Sequence, residues 1–256
     1  MRCAIGSQVR AVRAEPARWG WMLAGRLSAF ADEDPFTEHG ALLHYLHVRR
    51  DSDPLAARLC AAVEGTGESL ESFGGKQHVA GVKQVEARRG PGITVVAADA
   101  GRRMLAGGVE IVVGSNSGTD KLKTWFAHAH VPARVHPERA EHELRLRGSA
   151  RKFVLDATRE DAIAAGGMRV EVARPHYEEV LREEAPDAVV GDVFSVDLAL
   201  PLALKRREPS WKHVRLFWLV HPYSPQRMQR ELAKLPAGEV EAVAGGLPAV
   251  AELLLG

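Results

Sequence analysis

Cysteine is nearly absent from the chain. Two residues, Cys3 and Cys60, among 256 are too few for a disulfide framework, which excludes the small secreted scaffolds that depend on cross-links. An excess of charge of one sign is missing too. Lysine plus arginine number 34 against 33 aspartate plus glutamate, a formal +1, so no general attraction to nucleic acid or to an anionic membrane is expected. Any partner must be recognised locally. Long apolar runs are also lacking: 196–204 is broken by Pro201 and 214–220 is short, whereas a bilayer crossing needs about 20 residues. The N-terminal MRCAIGSQVRAVR carries no apolar stretch of the secretory kind. These absences lead us to expect a soluble, cytoplasmic chain with neither a membrane nor a nucleic-acid partner. The chain does have 46% apolar and 26% charged residues, ordinary usage for a globular protein, and disorder is excluded as its main state.

Residues 15–89 read as mostly helical. Trp19, Met22, Leu23 and Leu27 recur at three to four residue intervals, as do Leu42, Leu43 and Leu46, and turn-forming clusters at 32–35, 51–54 and 65–75 divide the region into short helices. Gly90-Pro91-Gly92 then marks a change of character and a domain boundary. Beyond it, strand-like runs at 109–113, 152–155, 168–172, 188–190, 214–220 and 240–243 alternate with helical segments at 93–106, 119–129, 176–184 and 225–234. That order is the grammar of a parallel sheet covered on both faces. Residues 247–255 read as a terminal helix. No repeat or heptad is present.

Ligands of open parallel sheets sit beyond the carboxyl ends of the strands, and two such places stand out. In Val112-Val113-Gly114-Ser115-Asn116-Ser117-Gly118-Thr119-Asp120 an apolar strand runs into small polar residues and a helix start. Ser117 and Asp120 have the spacing of a capping box. The same segment could seat an anion, with the Ser115 hydroxyl, Asn116 and backbone N–H groups turned toward a phosphate. In Val189-Val190-Gly191-Asp192 followed by Asp197, two carboxylates follow a strand that ends on glycine. Such hard oxygen ligands suit Mg²⁺ shared with water and a substrate phosphate. A helix cap at Asp192 and a solvated Asp197 are the structural alternative.

Taken together, Pro91-Gly92 before a helix, Gly107-Gly108, VEIVVGSNS and the pattern GDxxxxD resemble motifs of the haloacid dehalogenase-like hydrolases, over roughly 91–256. The resemblance implies a three-layer α/β, parallel-sheet (Rossmannoid) core formed by 1–14 and 91–256, with 15–90 as a helical cap closing over the site. It implies an Mg²⁺-dependent phosphatase acting on a small phosphomonoester through an aspartyl-phosphate. Ser115 and Asn116 would then bind phosphate, Asp192 and Asp197 would hold the metal, and a cation would steady the charge. Lys152 and Arg174 are both candidates for that cation, Lys152 being preferred because arginine cannot replace lysine without changing the geometry.

The family's first motif, an aspartate nucleophile ending the central strand, has no clear match. The N-terminal strand candidate, residues 2–9, contains no acid. Asp32-Glu33-Asp34 has the aspartate spacing, which makes Asp32 the candidate nucleophile. Either the chain starts downstream of the true first strand, or it is a binding module for a phosphorylated ligand or protein that has lost the nucleophile. The histidine groups 39, 44, 47 and 128, 130, 136 lack the spacing of a zinc site and read as surface residues. Trp19, Trp21 and Phe30 read as packing within the cap.

Overall fold

The computed structural model describes residues 2–23, 25–90 and 92–256. The side chains of residues 2–5, Cys3 among them, and the whole of Pro91, part of the motif approach above, lie outside the described residues. The chain divides into two compact units, Met1–Gly90 and Pro91–Gly256.

The first unit consists of α1 (Arg2–Ala14), β1 (Trp21–Leu23), β2 (Arg26–Ala29), α2 (Pro35–Arg49), α3 (Pro54–Glu64) and α4 (Leu70–Arg89). Asp34 and Asp53 start α2 and α3. Each carboxylate accepts from N–H groups of the first turn, and each is followed by a proline where a missing N–H costs nothing. Val12, Trp19, Ala41, Tyr45, Leu46, Ala56 and Cys60 form the core, and the Trp19 ring stands edge-on to Tyr45 with centroids 4.8 Å apart.

Four expectations are corrected in this unit. Residues 2–9 are the body of α1 rather than a strand, and α1 packs on α2. Gln8 and Val12, one helical turn apart, both face inward, and Gln8 Nε2 donates to Asp53 Oδ2 at 2.7 Å. Residues 1–14 therefore belong with the first unit and not with the α/β unit. The helical spacing across 19–27 belongs instead to the antiparallel β1–β2 hairpin. Gly25 turns it at φ +74°, and Gly20 lies so close to the Leu27 side chain and the Ala29 carbonyl that any Cβ would collide. Finally, α4 takes in part of the glycine-rich 65–75 stretch, because Gly74 leaves room for Leu43 and His39 of α2 to press against the helix.

The second unit is α/β with two three-stranded parallel sheets. Its elements are α5 (Val95–Ala106), β3 (Val112–Gly114), α6 (Thr119–His128), β4 (Ala133–Val135), β5 (Leu144–Arg147), β6 (Ala162–Ala165), β7 (Met168–Glu171), α7 (Pro175–Glu184), β8 (Ala188–Gly191), α8 (Ala199–Arg207), β9 (Arg215–Val220), α9 (Gln226–Leu232), β10 (Glu241–Ala244) and α10 (Leu247–Leu255). One sheet runs β3-β5-β4 and the other β10-β9-β8. Opposite Gly191 at the end of β8 stands Trp218 of β9. α5 and α6 cover the first sheet through Ala98, Leu105, Leu122, Leu144 and Leu146. α10 covers the second through Phe217, Val243 and Val250, and meets α5 at Ala100, Met104 and Ala251.

The run 152–155 is a turn and not a strand. β7 pairs antiparallel with β6 across the tight turn at Gly166 and Gly167, and the main chain of Lys152 is engaged by side chains instead of a ladder. Arg145 and Arg147 of β5 reach Glu184 and Glu183 at the end of α7, at 2.7 and 2.6 Å. His136 joins the same acids at 2.9 and 3.2 Å. Each arginine and glutamate in this group has an opposite charge beside it, the condition under which buried charge is tolerated.

Candidate functional site

β8 ends at Gly191 and hands the chain to Asp192, beyond the carboxyl end of the sheet. A π-helical turn, Phe194–Leu198, then leads into α8. Pro201 explains why the chain does not enter a regular helix at once. In an α-helix its N–H would bond the carbonyl of Asp197, but proline has no N–H and its ring crowds that carbonyl. The orphaned Asp197 oxygen accepts instead from the hydroxyl of Tyr177 on α7, at 2.8 Å, which satisfies a buried acceptor. Burial, with the Asp197 charge adding to it, holds the Tyr177 phenol well above its ordinary pKa and keeps it a donor.

Gly191 is required here by contact. A Cβ on it would overlap the Cβ of Asp197, so the aspartate side chain lies directly against the glycine. Asp197 Oδ1 meets Lys152 Nζ at 2.5 Å, and Asp197 Oδ2 accepts the Val193 N–H at 3.2 Å. The solvated Asp197 of the structural alternative is not what forms: the residue is buried and both its oxygens are engaged.

Lys152 is held from three sides. Its N–H donates to Asn116 Oδ1 at 2.7 Å, and its carbonyl accepts from Arg174 Nη1 at 2.7 Å. The ammonium lies 5.7 Å from the centre of the Tyr177 ring. Arg174 is fully buried and also donates to the Ser195 carbonyl at 3.0 Å. Its guanidinium thus splints two main-chain segments, while the ammonium presented among the acids is that of Lys152.

Asp192 is the acid with less protein around its oxygens. Burial first, then the Asp197 charge, pushes its carboxyl above the ordinary range, against smaller opposing effects of His221 and Lys152. His221 Nε2 lies 3.7 Å from Asp192 Oδ2, and Trp218 Nε1 fixes the Asp192 main chain by donating to its carbonyl at 2.9 Å.

The Ser115 loop adopts a different arrangement from the capping box. α6 begins at Gly118 without a side-chain cap, and the Ser115 Oγ accepts the Ser117 N–H at 3.1 Å. The reason is the neighbouring loop: Gly148 packs so closely on Thr119 that a Cβ there would strike its backbone. Ser149 and Ala150 donate to the carbonyls of Ser117 and Ser115, each at 2.8 Å.

The structure therefore brings Asn116, Lys152, Arg174, Asp192 and Asp197 to one place and sets Ser115 on the loop beside them. Asp32 belongs to the first unit, in the turn that precedes the Asp34 cap of α2. Two residues of the site, Tyr177 and His221, were not singled out in the sequence. His221 directly follows the apolar run 214–220, so the strand-end rule that found Asp192 applies to it equally. For Tyr177 the only signal is Pro201, which announces an orphaned carbonyl.

Asp192 and Asp197 stand beside the ammonium of Lys152, and the Arg174 guanidinium adds a second positive charge at the Lys152 main chain. With both oxygens of Asp197 occupied, Asp192 is the carboxylate that fits a divalent ion, in the manner of Mg²⁺ held by one acid together with water and a phosphate. Among the described residues no group of three or more histidine, cysteine, aspartate or glutamate side chains is placed to hold a metal, and none of the described helices is long and apolar enough to cross a membrane. No family model, curated protein or solved structure gives a significant match to this chain.

Proposed function

We propose that the second unit is a haloacid dehalogenase-like domain that binds a small phosphomonoester at the carboxyl ends of β8 and β9. The observation that supports this reading is the convergence of the Asn116 loop, Lys152 and the segment that carries Asp192 and Asp197, three elements of the resemblance that are distant in sequence. Lys152 supplies positive charge to the phosphoryl oxygens, and Asp197 holds its ammonium in place. Asp192 would hold Mg²⁺, whose chemistry would be to neutralise phosphate charge. Asn116 and Arg174 position the Lys152 main chain. Hydrolysis through an aspartyl-phosphate would also require an acceptor carboxylate, for which Asp32 is the candidate.

Titration calorimetry with inorganic phosphate and a panel of phosphomonoesters, with and without Mg²⁺, tests the binding reading. Binding should be enhanced by Mg²⁺ and strongly weakened in Asp192→Asn. Absence of binding by the parent chain sinks the proposal. Turnover of any ester that is lost in Asp32→Asn would add the hydrolytic step; binding without turnover leaves a phosphate-ligand module.

A further inference from the structure

All 15 aromatic side chains lie among the described residues, and of these Tyr223 is the one that the fold leaves exposed, at 63%. It lies immediately beyond β9, the strand beside β8. Its ring is parallel to that of His221 within 16°, with centroids 4.9 Å apart. His221 in turn is the residue 3.7 Å from the Asp192 carboxylate.

The turn that carries this pair is held rigidly. The His221 N–H donates to Ser224 Oγ at 2.9 Å, and the Ser224 N–H returns to the His221 carbonyl at 2.9 Å. Gln229 Nε2 on α9 donates to the Ser224 carbonyl at 3.2 Å, Ser224 is buried, and Pro222 between the two rings restricts φ. A single surface aromatic is unremarkable. A sole exposed one, fixed on a tight turn and stacked on a residue beside the candidate site, is preorganised to receive a flat partner without further ordering cost.

We propose that His221 and Tyr223 form a stacking platform that selects phosphomonoesters carrying a planar aromatic ring, such as a nucleoside monophosphate, over sugar phosphates that carry no aromatic ring. This inference rests on the phosphate-site reading above and names the ligand class of that site. Aromatic rings stack on one another whatever their substituents, so the platform discriminates flat from non-flat more than one base from another.

The test compares adenosine 5′-monophosphate with ribose 5-phosphate by calorimetry on the full chain with Mg²⁺. The nucleotide should bind about tenfold more tightly, in keeping with the worth of one stacked base. Tyr223→Ala should bring its affinity down to that of the sugar phosphate and leave the sugar phosphate unchanged, while Tyr223→Phe retains the preference. Because Tyr223 is exposed, the variants are expected to keep the parent Tm, and circular dichroism checks that they do. Equal affinities for the two ligands, unaltered in Tyr223→Ala, overturn the platform and leave the phosphate site standing. Binding of neither ligand nor of inorganic phosphate overturns both.

Discussion

The hydroxyl of Tyr177 donates to the main-chain oxygen of Asp197 at 2.8 Å, taking the bond that Pro201 cannot make. Tyr177→Phe leaves that buried oxygen unsatisfied and should destabilise the protein by about 1–3 kcal/mol. In Tyr177→Phe/Pro201→Ala the new N–H can reach the same carbonyl, so the double variant should lose less than the sum of the single losses. Urea denaturation of the three variants measures this, and strict additivity would dismiss the connection.

Lys152 and Asp197 form the second testable pair. Removing the ammonium in Lys152→Met strands a mostly buried carboxylate, which should cost about 3 kcal/mol. Lys152→Met/Asp197→Asn, with the stranded charge also removed, should recover part of that loss. A single variant as stable as the parent would show that the pair is solvent-screened and not a buried anchor.

Asp192 should reveal a conflict between stability and function. Folding raises its carboxyl pKa above the ordinary 3.8, so the native state holds the proton more tightly than the unfolded chain, and stability is lost as pH rises through that window. Asp192→Asn does not titrate. Its Tm should therefore exceed that of the parent above the window, the gap should close on acidification to pH 3, and metal-assisted phosphate binding should be lost. A Tm difference independent of pH would contradict the assigned cause.

The opposite sign is expected at Asp161, which joins the loop before β6 to Arg207 at the end of α8 through two bonds of 2.7 and 2.8 Å. The Arg207 hydrogen bond, with burial opposing and the Arg207 and Arg159 charges adding to it, lowers the Asp161 carboxyl pKa. Its stabilisation is thus complete above the unfolded value of 3.8 and disappears as pH falls through the folded one. Asp161→Asn should cost about 0.5–1 kcal/mol at pH 7, as partly exposed pairs do, and progressively less as pH falls below 3.8. Thermal melts across that range check it.

Parts of the fold that depend on local pattern were legible from residues alone. The terminal helix at 247–255 and the apolar strand within 214–220 are seen where periodicity places them, because burial of one face or of a whole run is written into the composition of each. Residues 19–27 misled because their three-to-four spacing serves a helix and a glycine-turned hairpin alike, and only the collision at Gly20 separates the two. In the site, strand-end residues such as Asp192 were legible. The engagement of Asp197 by Lys152 was not, since it joins residues 45 apart and no local rule reaches across that distance. Arg174 stands beside Lys152 as a candidate cation in sequence, and only its complete burial assigns it to carbonyls.

Three contacts that define the site are remote along the chain: Asn116 to Lys152 spans 36 residues, Lys152 to Asp197 45, and Arg174 to Ser195 21. Each closes a loop whose entropy must be surrendered before its bond is gained, whereas the turns of α7 or α10 close over four residues. During refolding the helices should therefore appear well before the cluster at Lys152 is assembled. A collapsed chain with full helical content would still lack the arrangement that presents an ammonium among carboxylates, so ligand affinity should recover on a slower clock than ellipticity.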